Sequence, residues 1–253
     1  MLTPIPIRAF DDNYIWCIKD KKQALVVDPG CADSVIAYLQ ANDLQLAAIL
    51  VTHHHQDHTG GIEALIAFYG AIPVYGPANR IDTINIKIHS EQTIKLSPFE
   101  LEAKIYFCPG HTLDHIAYHI DDMLFCGDSL FSAGCGRLFE GDAAMAYASL
   151  QKFAQLSDKT RVFPTHEYTL ANIDFALSVE PDNLDLHEHK QKCLELIARG
   201  QATLPTSIET EKKINPFLRC EQPEIINSAN LATNKAIDSV TVFSKIRSLK
   251  DHF

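Results

Sequence analysis

The first two-thirds of the chain alternate between short apolar runs and segments in which apolar residues recur at helical spacing. Residues 24–27 form an apolar run that stops at the turn residues 28–30, which predicts a strand. Residues 32–42 carry the helical period, and residues 47–51 form a second buried strand that leads into a histidine-rich segment. Another helix is predicted over residues 62–69. This succession of strands and helices is typical of an α/β domain.

Three strand-like segments follow one another further along the chain with no helix between them, at residues 101–107, 116–118 and 123–125. Strands joined by short connections pair antiparallel, whereas strands joined through a helix pair parallel. The sequence therefore predicts mixed sheets, followed by a helix over residues 143–156 and a strand over residues 161–163.

The pattern changes in the last third of the chain. Helical spacing is found at residues 173–179, 184–198 and 239–249, and no segment there has the alternation of a strand. We therefore predict two domains, an α/β domain over residues 1–169 and a small helical domain over residues 170–253.

The composition is that of an ordinary globular protein, with 46% hydrophobic and 21% charged residues, which excludes disordered and fibrous classes. Lysine and arginine total 22 against 32 acidic residues, and the net charge of -10 disfavours nucleic acid as a partner. The uncharged stretch 64–78 is too short for a membrane span, and residues 1–6 have no basic segment followed by an apolar run, so no secretory signal is expected. We expect a cytoplasmic monomer with neither a membrane nor a nucleic-acid partner.

The seven cysteines are odd in number, and no two of them have C-x-x-C spacing. This pattern argues against a disulfide framework and against a thiolate zinc site. It fits small buried thiols in a reducing compartment.

The histidine-rich segment contains four side chains that bind metals, within six positions: His53, His55, Asp57 and His58. Neutral imidazoles and a carboxylate are ligands for a borderline divalent cation. Residues two apart in an extended chain point the same way, so His53, His55 and Asp57 can converge. His58 is available to a neighbouring point in space. The segment therefore predicts a metal site rather than a polar turn.

Three later segments each place one further metal-binding side chain just past a predicted strand: His111, Asp128 and His166. With the earlier four they make seven ligands, which suits two metal ions rather than one. Nitrogen and oxygen ligands fit zinc best, with iron and manganese as alternatives.

These motifs resemble the metallo-β-lactamase superfamily, whose mark is T-H-x-H-x-D-H followed by His, Asp and His. Within it, the chain is similar to the glyoxalase II (hydroxyacylglutathione hydrolase) family from Ile5 to Phe253. The segments that carry the resemblance are 9–14, 27–30, 52–58, 109–112, 127–131, 134–137, 166–169, 215–219 and 247–251. The resemblance implies an αββα sandwich, two mixed β-sheets flanked by helices, with a small all-α C-terminal domain that contributes to glutathione binding.

The resemblance also implies how the ligands are shared and what they do. His53, His55 and His111 would hold one metal, Asp57, His58 and His166 the other, and Asp128 would bridge them. The implied reaction is hydrolysis of an S-(2-hydroxyacyl)glutathione, S-D-lactoylglutathione in the second step of methylglyoxal detoxification, to glutathione and D-lactate. A metal-bridging hydroxide would attack the thioester carbonyl. Two metals, two carboxylates and one hydroxide sum to +1, and this net positive charge would stabilise the tetrahedral oxyanion that forms when the hydroxide adds to the carbonyl.

The resemblance implies a set of glutathione contacts as well: Arg137, Phe139, Tyr168, Arg247 and Lys250. Cationic contacts suit a tripeptide that carries two carboxylates. Two positions depart from the family pattern. Phe139 stands where some members have a tyrosine, and Asp114 replaces a glycine, which would bring modest strain if that position has a positive φ.

Two other functions fit parts of the pattern. A mononuclear iron dioxygenase of the same superfamily, acting on glutathione persulfide, needs two histidines, one carboxylate and open positions for oxygen. The additional ligands Asp57, His58 and His166 argue against it. A non-catalytic metal-binding module would have closed sites, usually with cysteine, which the seven cysteine-free ligands do not resemble.

Overall fold

The computed structural model describes residues 3–78, 80–230 and 238–253. The chain divides into two compact units, the first built from Met1–Phe107 and Asp114–Gly127 and the second from Cys108–Leu113 and Asp128–Phe253. Each unit buries an apolar cluster of its own. His111 belongs to the second unit. The segment that contains it, Cys108–Leu113, is preceded and followed in sequence by residues of the first unit.

The first unit contains a six-stranded sheet whose strands lie side by side in sequence order. The strands are β1 (Ile5–Ala9), β2 (Asn13–Lys19), β3 (Gln23–Val27), β4 (Gln45–Leu50), β5 (Val74–Pro77) and β6 (Ile86–Ile88). The pairs β1–β2 and β2–β3 are antiparallel, and the pairs from β3 to β6 are parallel. The sheet is therefore mixed, as predicted.

Helices connect the parallel strands of this sheet. Helix α1 (Ala32–Ala41) joins β3 to β4, and α3 (Ile62–Tyr69) joins β4 to β5 after the single turn α2 (Gln56–Thr59). Leu39 and Leu65 are fully buried in one apolar cluster with the strands. Burial of side chains of this size stabilises the fold by about 1.5–3 kcal/mol each. The helices predicted over residues 32–42 and 62–69 are thus confirmed.

Four further strands of the first unit form an antiparallel ladder. They are β7 (Thr93–Leu96), β8 (Leu101–Phe107), β9 (Ile116–Ile120) and β10 (Met123–Gly127). Each pairs with the next along the chain. The prediction that consecutive strands without a helix between them pair directly is confirmed for β8, β9 and β10.

The second unit is mainly helical and contains two short strands. Its elements are α4 (Ala143–Ala154), β11 (Arg161–Pro164), α5 (Thr169–Val179), α6 (Leu184–Ala198), β12 (Thr206–Ser207), α7 (Ile208–Ile214), α8 (Pro223–Ser228) and α9 (Ser239–Asp251). Asn183, Ser207 and Asp238 cap α6, α7 and α9 by accepting a backbone hydrogen bond. The prediction of no strand in the last third was wrong, because β12 pairs with β11. Two residues are too short for an alternating pattern to show.

Within the described ranges, no helix is both long enough and apolar enough to cross a membrane.

Candidate active site

Four of the predicted metal ligands follow β4 within the first unit, His53 and His55 in the loop and Asp57 and His58 in the single turn α2. His53 and His58 are fully buried, and His55 is partly exposed just before α2 begins at Gln56. His53 Nε2 lies 3.1 Å from His55 Nδ1, and His58 Nε2 lies 3.3 Å from Asp57 Oδ2. Atoms that can bind a metal therefore face one another in two pairs.

A buried carboxylate behind the loop fixes two of these imidazoles. Asp28 accepts hydrogen bonds from the backbone nitrogen and from Oγ1 of Thr52, each at 2.7 Å. Since that hydroxyl proton is already used, Thr52 Oγ1 accepts from His53 Nδ1, 3.0 Å away. Asp28 Oδ2 also faces His58 Nδ1 at 3.1 Å, and a carboxylate can only accept. Both imidazoles thus carry their proton on Nδ1 and present the Nε2 lone pair.

Asp57 is positioned by two neighbours of the same unit. The buried Asn13 donates a hydrogen bond from Nδ2 to Asp57 Oδ2 at 3.1 Å. Gly30 passes so close that a Cβ atom there would lie 1.8 Å from the carbonyl oxygen of Asp57. The turn after β3 therefore requires glycine at this position, because any side chain would displace the ligand loop.

His54 lies among these ligands in sequence but faces another group. Its Nδ1 lies 2.9 Å from Asp114 Oδ1. Asp114 does not have a positive φ, so the strain expected for this departure from the family pattern does not arise. The neighbouring His115 is buried, and its ring stacks on that of His53 with centroids 4.6 Å apart. These residues support the ligand loop through packing and hydrogen bonding.

The second unit brings together the other three predicted ligands. Asp128 Oδ2 lies 3.4 Å from His111 Nε2, and Asp128 Oδ1 lies 3.5 Å from His166 Nε2. The two oxygens of one carboxylate thus face two different imidazoles. His111 Nδ1 donates to the carbonyl oxygen of Arg137 at 2.7 Å, which leaves the Nε2 lone pair for a metal.

The spacing and chemistry of these groups fit divalent metal ions. Two ligands bound tetrahedrally at ~2.0–2.1 Å from a zinc ion lie about 3.3 Å apart. The four ligand-atom separations within the two units, from 3.1 to 3.5 Å, bracket that value. Imidazole lone pairs that face carboxylate oxygens repel one another unless a cation lies between them. Within each unit, the histidines and aspartates therefore form a group of side chains suited to a divalent metal ion, while the assignment of each ligand to a particular ion stays a prediction.

The predicted glutathione contacts all lie in the second unit but differ in exposure. The side chain of Arg137 is 59% exposed, whereas that of Arg247 is 7% exposed. Phe139 and Tyr168 are also on the surface, and Lys250 is partly buried.

Arg137 and Arg247 share one carboxylate. Asp251 Oδ1 lies 3.4 Å from Arg137 Nε and 3.0 Å from an Nη atom of Arg247. Arg247 also donates to the carbonyl oxygen of Cys135 at 2.8 Å, and its guanidinium lies over the Phe217 ring. Arg247 is therefore held firmly by the protein, whereas Arg137 extends into solvent.

Lys250 lies on the same helix, α9, in a less polar environment. Its Nζ donates to the carbonyl oxygen of Ala171 at 3.1 Å and lies over the rings of Phe175 and Phe253. Burial, with a contribution from the positive charge of Arg247, lowers the pKa of Lys250 to about 8. The amine is thus cationic at neutral pH and loses its charge in mildly alkaline solution.

Aromatic rings lie against two of the ligand histidines. Tyr168 stacks on His166 with the ring planes 5° apart and the centroids at 4.7 Å. The rings of Phe139 and His111 are nearly perpendicular, with centroids 5.3 Å apart. These exposed rings provide an apolar surface beside the ligands, where a substrate can pack.

Comparison with known proteins places the chain in a family. Residues 9–166 match the family model described as metallo-β-lactamase superfamily, and residues 167–253 match hydroxyacylglutathione hydrolase C-terminus. The hydroxyacylglutathione hydrolase of Nitrosomonas eutropha is 48% identical over 255 residues, which covers 100% of both chains.

Solved structures with the same fold include ETHE1 from Myxococcus xanthus, with a TM-score of 0.64 and 26% identity. The match covers 97% of this chain and 98% of that one. TTHA1623 in a di-iron-bound form has a TM-score of 0.59 and 22% identity, covering 85% of this chain and 100% of that one, so it supports the fold alone. The predicted sandwich with a helical C-terminal region is thus confirmed. The chain belongs to the hydroxyacylglutathione hydrolase family, a family of thiolester hydrolases within the metallo-β-lactamase superfamily.

Proposed function

We propose that the chain hydrolyses S-(2-hydroxyacyl)glutathione thioesters, S-D-lactoylglutathione in particular, to glutathione and the 2-hydroxy acid, as the second step of methylglyoxal detoxification. The observation that carries the proposal is the orientation of the ligand imidazoles. Hydrogen bonds from Nδ1 of His53, His58 and His111 leave Nε2 of each ring available to a metal. The names of relatives at 48% identity over their whole length supply the substrate class.

The proposal includes two divalent metal ions, most simply zinc. His53, His55 and His111 would hold one ion and Asp57, His58 and His166 the other, with Asp128 shared between them. The support for a shared Asp128 is that its two oxygens face different imidazoles. Nitrogen and oxygen donors without thiolate suit zinc, iron or manganese, and the di-iron form of TTHA1623 shows that a protein of this fold can hold two iron ions.

When bound, the two cations would lower the pKa of water toward ~7 and so supply a hydroxide nucleophile and a Lewis acid for the thioester carbonyl. The protein residues set the charge of the site. Asp57 and Asp128 contribute two negative charges, which leaves a net positive charge to stabilise the developing oxyanion. The leaving thiol of glutathione has a pKa near ~8.5, so the reaction needs no separate protein acid.

Glutathione would be held by the side chains on α9 and beside the ligand histidines. Arg137 and Lys250 offer cationic groups to its carboxylates, and the rings of Phe139 and Tyr168 offer apolar contact. The guanidinium of Arg247 already contacts Asp251 and the carbonyl oxygen of Cys135, so only the part that these contacts leave unused would be available to glutathione.

In the proposed organisation, residues 1–169 form the catalytic domain and residues 170–253 contribute to glutathione binding. We further propose that the protein acts as a cytoplasmic monomer without a nucleic-acid or membrane partner. The support for a reducing compartment is that all seven cysteines are free thiols, and six of them are buried.

The test is hydrolysis of S-D-lactoylglutathione by purified protein, followed by loss of thioester absorbance, with metal content measured on the same sample. We expect chelator-sensitive turnover with close to two metal ions per chain, and loss of turnover in His55→Ala and Asp128→Ala. Retained turnover in either variant would exclude the two-metal mechanism. One iron per chain with no hydrolysis would favour the dioxygenase instead.

A further inference from the structure

A carboxylate of the second unit, remote from the predicted ligands in sequence, is completely buried. Glu211 lies on α7 and has no exposed surface. Its Oε1 accepts from Thr206 Oγ1 at 2.7 Å. Its Oε2 accepts from the backbone nitrogen of Ala133 at 2.9 Å and from Asn215 Nδ2 at 2.8 Å. Burial raises the pKa of Glu211 to about 7, although the hydrogen bonds from these neutral donors and from Ser132 act in the opposite direction. A carboxylate is expensive to bury in this way, so a specific role is expected of it.

Glu211 and Asn215 together hold one tight turn. Phe131 and Gly134 exchange two backbone hydrogen bonds, at 3.0 and 3.1 Å. Asn215 Nδ2 donates to the carbonyl oxygens of both residues, at 3.1 and 2.9 Å. Between them, Ala133 has a φ of 54°, which is unfavourable for a residue with a side chain. The hydrogen bond from Ala133 to Glu211 therefore maintains a backbone conformation that the turn would not adopt as readily by itself.

The residues that follow this turn contact the proposed site. The carbonyl oxygen of Cys135 accepts a hydrogen bond from Arg247, and that of Arg137 accepts one from His111. Gly136 is packed against Asp128, where a Cβ atom would lie 2.1 Å from the carbonyl oxygen. A shift of the turn by a fraction of an ångström would therefore move the carbonyl oxygens that accept hydrogen bonds from His111, a predicted metal ligand, and from Arg247, a predicted glutathione contact.

We infer that Glu211 is a positioning residue for hydrolysis: through the turn formed by Phe131–Gly134, it fixes the two backbone carbonyls that orient His111 and Arg247. This inference rests on the proposed function, because it assigns those two residues their roles. Glu211 itself does not touch the substrate.

Three substitutions of Glu211 separate the hydrogen bonds from the charge. In Glu211→Gln, the amide oxygen can accept from Ala133 and Asn215, and the amide nitrogen can donate to the Thr206 hydroxyl, which is able to accept. In Glu211→Ala the backbone nitrogen of Ala133 and the side chains of Ser132, Thr206 and Asn215 all lose their acceptor. Glu211→Asp keeps a buried carboxylate but shortens its reach, so it serves where the alanine variant does not fold.

The matched control is Glu180, another buried carboxylate of the second unit. Glu180 is 3% exposed and accepts from Arg219 at 2.8 and 3.0 Å, with no hydrogen bond to the turn. Glu180→Ala should lower stability as a buried-carboxylate loss does, but it should leave the turn and the kinetics unchanged.

Two measurements test the inference on the holoenzyme. The first is hydrogen–deuterium exchange of peptides covering residues 131–137, without substrate, so that it is independent of the proposed reaction. We expect faster exchange there in Glu211→Ala and Glu211→Asp, and no change in Glu211→Gln or Glu180→Ala.

The second measurement is hydrolysis of S-D-lactoylglutathione, expressed per metal-loaded enzyme. We expect kcat/KM to fall on the order of tenfold in Glu211→Ala, with part of the loss in KM, and to stay within about threefold of wild type in Glu211→Gln. Absence of hydrolysis by the wild type would reject the proposed function. The exchange measurement would then still test whether Glu211 fixes the conformation of the turn. Unchanged exchange in both Glu211→Ala and Glu211→Asp, or a glutamine variant as impaired as the alanine one, would overturn the inference.

Discussion

The Asp28 carboxylate lies 3.1 Å from Nδ1 of His58 and 2.7 Å from the hydroxyl of Thr52, which in turn meets His53. One buried acid thereby sets the tautomer of two predicted metal ligands. Asp28 itself has a φ of 54°, at the turn that ends β3. The strand end and the ligand loop are thus joined by a single side chain.

This relationship predicts the effect of Asp28→Asn. The amide nitrogen cannot accept a hydrogen bond, so if it replaces Oδ2 both the Thr52 hydroxyl and His58 lose their acceptor, and if it replaces Oδ1 the backbone nitrogen of Thr52, next to His53, loses its own. We expect metal affinity to fall about 10–100-fold, which is typical of the loss of a group that orients a ligand. Titration with zinc in the presence of a competing chelator measures this.

Asp43→Asn is the matched control, since Asp43 also has a positive φ, of 53°, but is exposed on the same unit. Asparagine tolerates this conformation, so backbone strain is equal in the two variants. Equal metal affinity in Asp28→Asn and wild type would show that Asp28 does not orient the ligands.

The ligand loop was predictable from the sequence, whereas the groups behind it were only partly so. Four metal-binding side chains in six positions are a local signal, and each later ligand follows a strand that its apolar run reveals. Asp28 lies in an Asp-Pro-Gly segment that reads as an ordinary turn. Its partner Thr52 is 24 residues away, so their contact depends on the parallel pairing of β3 and β4.

In the helical part of the chain, too, the local sequence pattern predicts some features and not others. The periodic pattern predicts α5, α6 and α9, because each buries one apolar face. Helix α7 is short and carries Glu211 inward, which a rule of hydrophobic periodicity places at the surface. The sequence likewise does not predict that Arg137 is exposed and Arg247 buried, because both are arginines in motifs that resemble the family.

Arg137→Ala and Arg247→Ala should therefore behave differently. Arg137 is exposed, so its loss should raise KM about tenfold or more through a missing charge-assisted contact, with little change in stability. Arg247 is buried against Phe217 and donates to Cys135, so its loss should raise KM and also cost about 1–3 kcal/mol of stability. Steady-state kinetics and thermal unfolding distinguish the two. An Arg247→Ala protein as stable as wild type would contradict the buried contacts.

Phe139→Tyr tests the departure from the family pattern. Phe139 is 62% exposed, so a hydroxyl at its ring would face solvent or substrate at no packing cost. A new hydrogen bond of about 0.5–1.5 kcal/mol would lower KM roughly 2–12-fold. Thermal stability should not change. A KM equal to that of the wild type would mean that the ring edge is not turned toward the bound glutathione.

Lys250 predicts how substrate binding depends on pH. Its pKa is lowered to about 8, first by burial and then by the charge of Arg247, so the cation that attracts a glutathione carboxylate is lost as the pH rises through that value. The same shift affects stability with the opposite sign. The unfolded chain binds more protons than the native one between pH 8 and about 10.4, so this group makes folding more favourable as the pH rises across that window.

We expect KM to rise between pH 7 and 9 with a midpoint near 8 in the wild type, and this rise to be absent in Lys250→Arg, because a guanidinium stays charged. The arginine variant also controls for titration of the substrate's own amine and of the metal site, which both proteins share. Lys250→Ala should have a high KM at every pH. If the pH profiles of KM for wild type and Lys250→Arg are superimposable, then Lys250 does not contribute its charge to glutathione binding, and Arg137 would be the principal cationic contact.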